Sequence, residues 1–301
     1  MRVAAVDCGT NSIRLLVRDL PGEELHREMR IVRLGEGVDR TGSLAPQAIA
    51  RTREALASYA KTCSDLGVER TRMVATSATR DASNRAEFVA MVVATLGVEP
   101  EVISGDEEAA LSFRGATIDL APADGPFLVM DIGGGSTELV LGTTSVEAAR
   151  SVDVGCVRLT ERHLVSDPPT TDQVAAATAD VDAALRLAAE VVPAERARTA
   201  VGLAGSVTTV AALALELPSY QPEAIHLSRV SRARVHEIAT DLLSMTREQR
   251  ARLAVMHPGR ADVIGGGALI LDRAMDLLSL DEVVVSESDI LDGIALSMGE
   301  S

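Results

Sequence analysis

Two short stretches of the sequence share a pattern of residue types that could bind phosphate. In each stretch an apolar run ends in an aspartate, continues into a turn of small residues and is followed by a second apolar run. The matched pairs are Asp7 with Asp131, Gly9 with Gly133, and Ser12 with Ser136. Glycine lets the backbone approach a ligand, and backbone amides together with hydroxyl groups can surround phosphate oxygens. The candidate phosphate-binding residues of the two turns are Gly9, Thr10, Asn11, Ser12, Gly133, Gly134, Gly135 and Ser136.

Carboxylates accompany both turns, and their charge limits what the turns can bind. An ionised aspartate only accepts hydrogen bonds, so Asp7 and Asp131 repel phosphate unless a cation or a water lies between them. Glu138 lies on the strand that returns from the second turn, and Glu107 and Glu108 begin a helix. Mg²⁺ is the usual cation among oxygen ligands, so Asp7, Asp131 and Glu138 are candidate Mg²⁺ ligands. A carboxylate in such a site could activate water for in-line attack on a terminal phosphate.

Other residues could add phosphate contacts, although each also has an ordinary structural explanation. Arg80 follows a strand and a Thr/Ser-rich turn, where its guanidinium could bind phosphate or could lie in solvent at the start of a helix. Gly205 and Ser206 follow another strand, so the backbone can again approach a ligand there. Acidic residues are common at helix N-termini because they complement the helix dipole, which accounts for Glu107 without a catalytic role.

The elements that must position these groups form two similar halves. Each Asp-ended turn lies between two apolar runs of strand length, which predicts a β-hairpin, and two copies in register indicate an internal duplication. Two such hairpins that face each other would hold a phosphate chain and a metal in a cleft between domains. Residues 119–126 contain two prolines, a glycine and acidic residues, so we predict domains at 1–121 and 122–301. Strands followed by helices in both halves indicate an α/β fold.

Three further features carry structural predictions. Residues 265–267 are consecutive glycines in an Ala/Leu-rich run, which predicts a helix that begins at Arg260 and that a neighbour approaches closely. Arg14 aligns with Glu138 in the repeat and could simply pair with an acid. Cys8 lies in the first turn, but its aligned residue is Ile132, so we expect a small buried side chain rather than a nucleophile.

Composition and charge exclude several classes of function. A chain of 301 residues that is 47% hydrophobic suits two folded domains rather than disorder. A net charge of −15 and an aromatic content of 2% disfavour a nucleic-acid-binding face. We expect neither a membrane span nor a signal peptide, since no apolar run approaches ~20 residues and the N-terminus enters a strand at once. Three unpatterned cysteines agree with a reducing compartment, so we predict a cytoplasmic protein.

Several of these segments resemble the Ppx/GppA phosphatases, the exopolyphosphatases and guanosine pentaphosphate phosphohydrolases. The matching segments are 7–16, 75–80, 103–109 and 131–138, and the resemblance is extended by 202–206, 225–227 and 259–262 to essentially the whole chain. The glycine triplet at 133–135 alone would fit any actin-like ATPase or sugar kinase. The Gly-Asp-Glu-Glu helix start at 105–108 and the Gly-Arg-Ala-Asp segment at 259–262 distinguish this family from those classes.

The resemblance implies a fold, a cofactor and a role for several residues. The implied fold is actin-like, a duplicated ribonuclease-H-type α/β fold with the active site in a cleft between two domains, and the implied cofactor is Mg²⁺. By position, Glu108 matches the family's general base, Arg80 matches its phosphate-binding arginine, and Asp131 and Glu138 match its metal and water ligands. A homodimer is a family-level expectation.

The resemblance leaves several functions open. The first is an exopolyphosphatase that releases orthophosphate from the end of inorganic polyphosphate, with short chains favoured because longer family members carry extra C-terminal helical domains. The second is removal of the 5′ γ-phosphate of pppGpp, which the scarcity of aromatic residues weakly disfavours. A third is a non-hydrolytic sensor of an alarmone or nucleotide, and the complete set of Glu108, Asp131 and Glu138 argues against it. An actin-like kinase is a fourth.

Overall fold

The computed structural model describes residues 1–299, which form two units. Unit 1 comprises Met1–Gly115 together with the C-terminal segment from Ile290, and unit 2 comprises Ala116–Asp289. The predicted division at 121/122 differs from the observed one in two ways. The continuous part of unit 1 ends at Gly115, and the C-terminal segment from Ile290 also belongs to unit 1. No helix among residues 1–299 combines the length and the apolar character that crossing a bilayer requires.

Unit 1 is built on a five-stranded sheet whose strands lie in the order β3-β2-β1-β4-β5. The strands are β1 (Arg2–Cys8), β2 (Ser12–Asp19), β3 (Glu24–Ile31), β4 (Arg70–Ala75) and β5 (Glu101–Val102). Strand β1 is antiparallel to β2 and parallel to β4, and β4 is parallel to β5. Because β1 is central and covered on both faces, its sequence is a continuous apolar run rather than an alternating one.

The helices of unit 1 cover both faces of this sheet. They are α1 (Val38–Thr41), α2 (Pro46–Asp65), α3 (Ser77–Asp81), α4 (Arg85–Leu96), α5 (Gly105–Ala116) and, at the C-terminus, α13 (Ile290–Ser297). Successive side chains of a strand point to opposite faces, so Ala4 and Val6 pack with α2 and α4, whereas Val3 and Ala5 pack with α5 and α13. By the same alternation, Asp7 lies on the face that α5 and α13 cover.

Unit 2 repeats this plan on a six-stranded sheet in the order β10-β11-β9-β6-β7-β8. The strands are β6 (Phe127–Ile132), β7 (Thr137–Gly142), β8 (Val146–Val152), β9 (Thr199–Leu203), β10 (Arg229–Ser231) and β11 (Glu282–Val285). Strands β6, β7, β8, β9 and β11 take the places that β1, β2, β3, β4 and β5 take in unit 1, with the same parallel and antiparallel pairings. The duplication predicted from the two Asp-ended hairpins is therefore present throughout both sheets.

The helices of unit 2 enclose its main hydrophobic core. They are α6 (Cys156–His163), α7 (Thr171–Ala189), α8 (Ala204–Ala214), α9 (Pro222–Ile225), α10 (Arg232–Ser244), α11 (Arg247–Ala251) and α12 (Ile264–Leu277), with 3-10 turns at Pro122–Asp124, Ala194–Arg196 and Pro258–Arg260. Leu128, Met130 and Ile132 of β6 point into this core. Asp131, between two of them, is therefore on the opposite face of the sheet.

The glycine triplet of α12 is a point of close packing, as the sequence predicts. A Cβ atom added at Gly266 would lie 2.9 Å from Thr160 Oγ1, and one added at Gly267 would lie 2.1 Å from Ser206 Oγ. The helix itself begins at Ile264 and not at Arg260, because Pro258 starts a separate 3-10 turn that ends at Arg260. The predicted start of this helix was therefore wrong by about one turn.

The C-terminal helix belongs to unit 1, although the sequence prediction placed residues 290–301 in the second domain. Ile290, Leu291 and Ile294 of α13 are buried in one cluster with Val3 and other apolar residues of the first sheet. A Cβ atom at Gly293 would lie 2.0 Å from the carbonyl oxygen of Leu111 in α5. The helix therefore contacts the backbone of α5 directly. These contacts, and not its position in the sequence, assign α13 to unit 1.

This packing predicts that Gly293→Ala destabilises the protein, because the added methyl group meets a backbone carbonyl that cannot rotate away. Overpacking of this kind costs about 1–3 kcal/mol. The matched control is Gly22→Ala, whose Cβ would lie 3.6 Å from Asp19 O, an ordinary contact. Urea unfolding should show an earlier transition for Gly293→Ala and an unchanged one for Gly22→Ala. Equal midpoints for the two variants would contradict the packing described.

Candidate active site

Unit 1 brings its predicted site residues to one edge of its sheet. Strands β1, β4 and β5 are parallel, so the segments that follow them, 7–12, 76–80 and 103–108, begin at the same edge. The hydroxyl oxygens of Thr10 and Ser77 are 2.8 Å apart, which joins the first turn to the start of α3. This edge is therefore where phosphate-binding groups of unit 1 can act together.

Segment 32–35 donates hydrogen bonds to the carbonyl groups of the first turn, which orients the backbone amides of the turn. The amide of Gly9 donates to Ser12 O at 3.0 Å and closes the turn. The carbonyl oxygen of Asn11 accepts hydrogen bonds from the amides of Val32 and Arg33 at 3.0 and 2.8 Å, and Thr10 O accepts from the Gly35 amide at 2.8 Å. The C=O and N–H groups of a trans peptide point in opposite directions. The amide of Asn11 is therefore directed away from segment 32–35, as phosphate binding requires.

Asp7 at the end of β1 is paired with an arginine. It lies opposite Arg14 in the strand register, and the Arg14 guanidinium donates to Asp7 Oδ2 through Nη2 at 2.7 Å and Nε at 3.1 Å. The pairing considered for Arg14 from the sequence is thus observed. Because Arg14 already compensates the charge of Asp7, the need for a cation is weaker here, and Mg²⁺ binding by Asp7 stays a prediction.

The two glutamates at the start of α5 have different surroundings. Ser104 accepts a hydrogen bond from the Glu107 amide at 3.2 Å and so caps the helix. The Glu107 side chain is 47% exposed and pairs with Arg72 at 3.1 Å, whereas the Glu108 side chain is only 10% exposed. Glu108 Oε2 accepts a hydrogen bond from Arg80 Nη1 at 3.2 Å. The structure therefore separates a surface carboxylate, Glu107, from a buried one at the sheet edge, Glu108.

Arg80 is fixed at the same edge and retains hydrogen-bonding capacity. Its Nη1 donates both to Glu108 and to the carbonyl oxygen of Ile103, the latter at 2.9 Å. Within the part of the chain that the structure describes, Nε and Nη2 of Arg80 have no hydrogen-bond acceptor. These two nitrogens form the planar pair of donors that suits phosphate oxygens.

The second turn, in unit 2, has the same construction as the first. The Gly133 amide donates to Ser136 O at 3.0 Å, as the Gly9 amide does to Ser12 O. The carbonyl oxygens of the turn are bound by the start of α6: Gly133 O by the Cys156 amide, Gly134 O by the Val157 and Arg158 amides, and Gly135 O by Arg158 Nε. By the peptide geometry stated above, the amides of Gly134, Gly135 and Ser136 point to the opposite side.

Gly155, which precedes α6, is required for this arrangement. A Cβ atom at this position would lie 2.5 Å from the carbonyl carbon and oxygen of Gly134 and 2.6 Å from the Gly135 nitrogen. Only glycine therefore allows α6 to approach the turn and bind its carbonyl groups. Sequence reasoning missed both Gly155 and Arg158, because neither lies in the repeated pattern and their role depends on where α6 packs.

Asp131 and Glu138 face each other across β6 and β7. They are partners in the antiparallel register, so their side chains lie on the same face with Cβ atoms about 5 Å apart. Both residues are buried, 8% and 1% exposed, and Glu138 Oε1 accepts a hydrogen bond from Ser151 Oγ at 2.6 Å. Like charges opposed in this way are unfavourable unless a cation or a proton compensates them. The equivalent positions in unit 1 hold Asp7 and Arg14, so the acid–acid pair is particular to unit 2.

The donor set of unit 2 suits a hard cation that keeps part of its own coordination shell. Over the described range, 1–299, no group of three or more His, Cys, Asp or Glu side chains is arranged to hold a metal ion. A cation at Asp131 and Glu138 would therefore take two protein carboxylates and complete its coordination with water and phosphate oxygens. That is the usual manner in which proteins bind Mg²⁺.

The start of α8 lies beside the glycine turn within unit 2. Asp131 pairs with Leu203 in parallel strands, and α8 follows β9 directly, so α8 begins next to the turn that follows β6. Arg260 Nη1 donates to Gly205 O at 3.2 Å, and a Cβ atom at Gly205 would lie 2.2 Å from Arg260 Cζ. Gly205 and Ser206 thus lie at the edge of the sheet that carries Asp131, and phosphate binding by them stays a prediction. Arg260 was missing from the predicted site.

The chain matches the model of the Ppx/GppA phosphatase family over residues 17–301. Exopolyphosphatase 2 of Mycobacterium tuberculosis (strain ATCC 25618 / H37Rv) is 56% identical over 313 residues, covering 99% of this chain and 98% of that protein. A guanosine-5'-triphosphate,3'-diphosphate pyrophosphatase of Vibrio atlanticus (strain LGP32) is 30% identical over 303 residues, covering 98% of this chain and 59% of that protein. A crystal structure of an exopolyphosphatase-like protein matches with a TM-score of 0.97 and 43% identity, over 100% of this chain and 99% of that chain. Together with the duplicated strand order, this match confirms the predicted α/β fold built from two similar halves.

The three cysteines are buried and are poor nucleophiles. Burial raises the pKa of Cys8 well above its usual value, and the neighbouring Asp7 raises it further. Burial also raises the pKa of Cys156, and it raises the pKa of Cys63 to about 11. Since the thiolate is the reactive form, little of it is present near neutral pH.

We therefore expect native protein at pH 8 to resist alkylation by iodoacetamide at all three cysteines, because the thiols are both buried and protonated. Mass spectrometry should detect no label in the native protein and three labels after unfolding in urea. Rapid labelling of Cys8 in the native protein would contradict its assignment as a buried structural side chain.

Proposed function

Because this chain belongs to the Ppx/GppA phosphatase family, we propose that it is an exopolyphosphatase that hydrolyses the terminal phosphoanhydride bond of inorganic polyphosphate and releases orthophosphate. The observation that carries this proposal is the 56% identity to Exopolyphosphatase 2 over nearly the full length of both chains. A net charge of −15 disfavours long polyanions along the surface, so short chains are the favoured substrates.

In this proposal each unit supplies different groups. Unit 1 supplies Glu108 as the general base that takes a proton from the attacking water, with Arg80 holding the carboxylate and donating its other N–H groups to phosphate. The oxygen of that water forms a bond to the terminal phosphorus, and the bond from this phosphorus to the bridging oxygen breaks. The shortened chain leaves with the bridging oxygen. Unit 2 supplies the amides of turn 133–136, which bind phosphate oxygens.

The carboxylate pair of unit 2 is the proposed place for Mg²⁺. Asp131 and Glu138 offer buried oxygen donors on one face of the sheet, and their mutual repulsion favours a cation. When bound, Mg²⁺ would compensate the acids and the negative charge of the phosphate oxygens. Ser151 orients Glu138 through its hydrogen bond, so this carboxylate is already positioned for the ion.

The alternative reaction is removal of the 5′ γ-phosphate of pppGpp. The similarity to the Vibrio atlanticus protein favours it, but at 30% identity and over 59% of that protein's length. Both reactions break a terminal phosphoanhydride bond, so the same carboxylates and turns would serve either one. The choice between them depends on what binds the rest of the substrate.

The proposed activity predicts which substrates release orthophosphate. With Mg²⁺ present, tripolyphosphate and longer polyphosphates should be hydrolysed at a higher kcat/KM than pppGpp or ATP, measured by a phosphate-detection assay. Release from pppGpp alone would replace the proposal with the alternative. No release from any of these substrates would refute hydrolysis altogether.

Glu108→Gln should abolish most turnover, because glutamine cannot accept the proton of the attacking water. General-base catalysis contributes about 10²–10⁴-fold, so we expect kcat to fall by this order. Binding of tripolyphosphate, measured by calorimetry, should remain close to that of the unaltered protein. The matched control is Glu107→Gln, which changes the neighbouring exposed carboxylate and should retain near-normal kcat. Similar activities for the two variants would remove Glu108 as the base.

Glu138→Gln should uncouple stability from Mg²⁺, because one of the two opposed charges is removed. We expect the thermal midpoint of the unaltered protein to rise with MgCl₂ and that of the variant to rise little. Glu147→Gln, which alters a surface carboxylate paired with Arg196, is the control and should respond as the unaltered protein does. An equal Mg²⁺ response in all three proteins would exclude Glu138 as a ligand.

A further inference from the structure

A groove in unit 1 lies outside the turns that bind phosphate in the proposal above. It encloses about 560 Å³ and is lined by residues of segment 36–45, which contains α1, and by the first turns of α2. The lining residues used below are Glu36, Arg40, Ser43, Gln47 and Arg51. None of these residues has a role in the hydrolysis described above, so the groove needs a separate explanation.

The charge of this groove contrasts with that of the whole chain. The chain carries a net charge of −15, yet the residues that line the groove include two arginines, Arg40 and Arg51, and one acid, Glu36. Glu36 pairs with Arg51 at 3.0 Å. Arg40 is exposed and has no hydrogen bond or ion pair to any residue in the described part of the chain. The guanidinium of Arg40 is therefore a positive charge in the groove that the protein does not compensate.

The other lining groups favour an anion that accepts hydrogen bonds. The side chain of Gln47 carries an amide that can donate hydrogen bonds, and the first turn of α2 contains no acidic residue. The Ser43 hydroxyl is already hydrogen-bonded to Ser83 Oγ at 2.9 Å. A planar guanidinium with a neighbouring neutral donor is a combination that recognises phosphate oxygens. The volume of the groove exceeds that of a single phosphate group, so it can hold an anion with several phosphates or a nucleoside.

Hydrogen bonds connect the groove to the first phosphate-binding turn. Arg51 Nε donates to Val32 O at 2.8 Å. The amides of Val32 and Arg33 in turn donate to Asn11 O, which orients the peptide between Asn11 and Ser12 and so the amide of Ser12. Arg33 has a φ of 51°, an uncommon left-handed conformation for a non-glycine residue, so the packing around this segment must hold it in place. Two successive hydrogen bonds, from Arg51 to Val32 and from Val32 to Asn11, therefore connect the position of the Arg51 side chain to the first turn.

We propose that this groove is a second anion-binding site, which takes a phosphate-bearing ligand on Arg40 and is coupled to phosphate binding at turn 9–12. An anion bound to Arg40 also attracts the Arg51 guanidinium and so competes with Glu36, the present partner of Arg51. Movement of Arg51 then alters its hydrogen bond to Val32 O. Coupling of this kind is reciprocal, so phosphate at the turn changes the affinity of the groove by the same factor. The binding does not require hydrolysis, and it goes beyond the proposed reaction.

The test compares the unaltered protein with Arg40→Gln and Arg53→Gln. Arg53 lies on α2, the helix that contributes Gln47 and Arg51 to the groove, and it is exposed but does not line the groove, so its variant matches the change in net charge. Each protein is titrated with tripolyphosphate and, separately, with ATP in EDTA, while NMR follows the backbone amides of 36–47 and 9–12. We expect the amides of 36–47 to shift in the unaltered protein and in Arg53→Gln, with affinity about tenfold weaker in Arg40→Gln.

The outcomes separate the proposal from its alternatives. A response to tripolyphosphate alone identifies a polyphosphate site, whereas a response to ATP as well identifies a site for the phosphates of a nucleotide. Equal affinities in Arg40→Gln and Arg53→Gln, or no shift at 36–47 with either probe, would overturn the proposal. An unchanged affinity at 9–12 in Arg40→Gln would overturn the coupling. Orthophosphate release with Mg²⁺ is measured on the same proteins and tests the proposed hydrolysis independently.

Discussion

Two buried carboxylates that oppose each other across neighbouring antiparallel strands impose the main constraint on this protein. Asp131 and Glu138 are partners in the register of β6 and β7, so the sheet holds their Cβ atoms on the same face and close together. Backbone amides of the intervening turn point away from α6, which binds the carbonyl groups of the same peptides. One hairpin therefore presents negative side chains and positive backbone dipoles within a few residues. A cation can bind the carboxylates, and a phosphate can accept hydrogen bonds from the amides. The hairpin is therefore suited to the two ligands together rather than to either one alone.

The duplication explains why the two units differ in chemistry although they share a fold. Both hairpins close with the same hydrogen bond, from Gly9 to Ser12 and from Gly133 to Ser136. The residue opposite the aspartate is an arginine in unit 1 and a glutamate in unit 2. One difference in the repeat thus places an arginine opposite the aspartate of the first turn and a second acid opposite that of the second turn. Glu108, the proposed base, comes from a helix of unit 1 that follows β5.

Much of this arrangement could be predicted from the sequence because it depends on local pattern. The hairpins followed from apolar runs with small-residue turns, and their pairing followed from the matched aspartates. The sequence could not separate Glu107 from Glu108 by itself, since both begin a helix, and only the resemblance assigned Glu108. The structure supplies the physical difference, which is burial beside Arg80. Gly155 and Arg260 were missed because their roles depend on contacts with turns distant in sequence. Helix α13 was misplaced because an apolar face does not specify which sheet it covers.

The central claim is that Asp131, Glu138 and turn 133–136 together bind a divalent cation and phosphate. The most direct measurement is a crystal structure with Mn²⁺ and imidodiphosphate, with anomalous data collected at the manganese edge. The account predicts an anomalous peak coordinated by both carboxylates, and phosphate oxygens hydrogen-bonded to amides of the turn. A peak bound to other residues, or two carboxylates that share a proton with no metal between them, would contradict it.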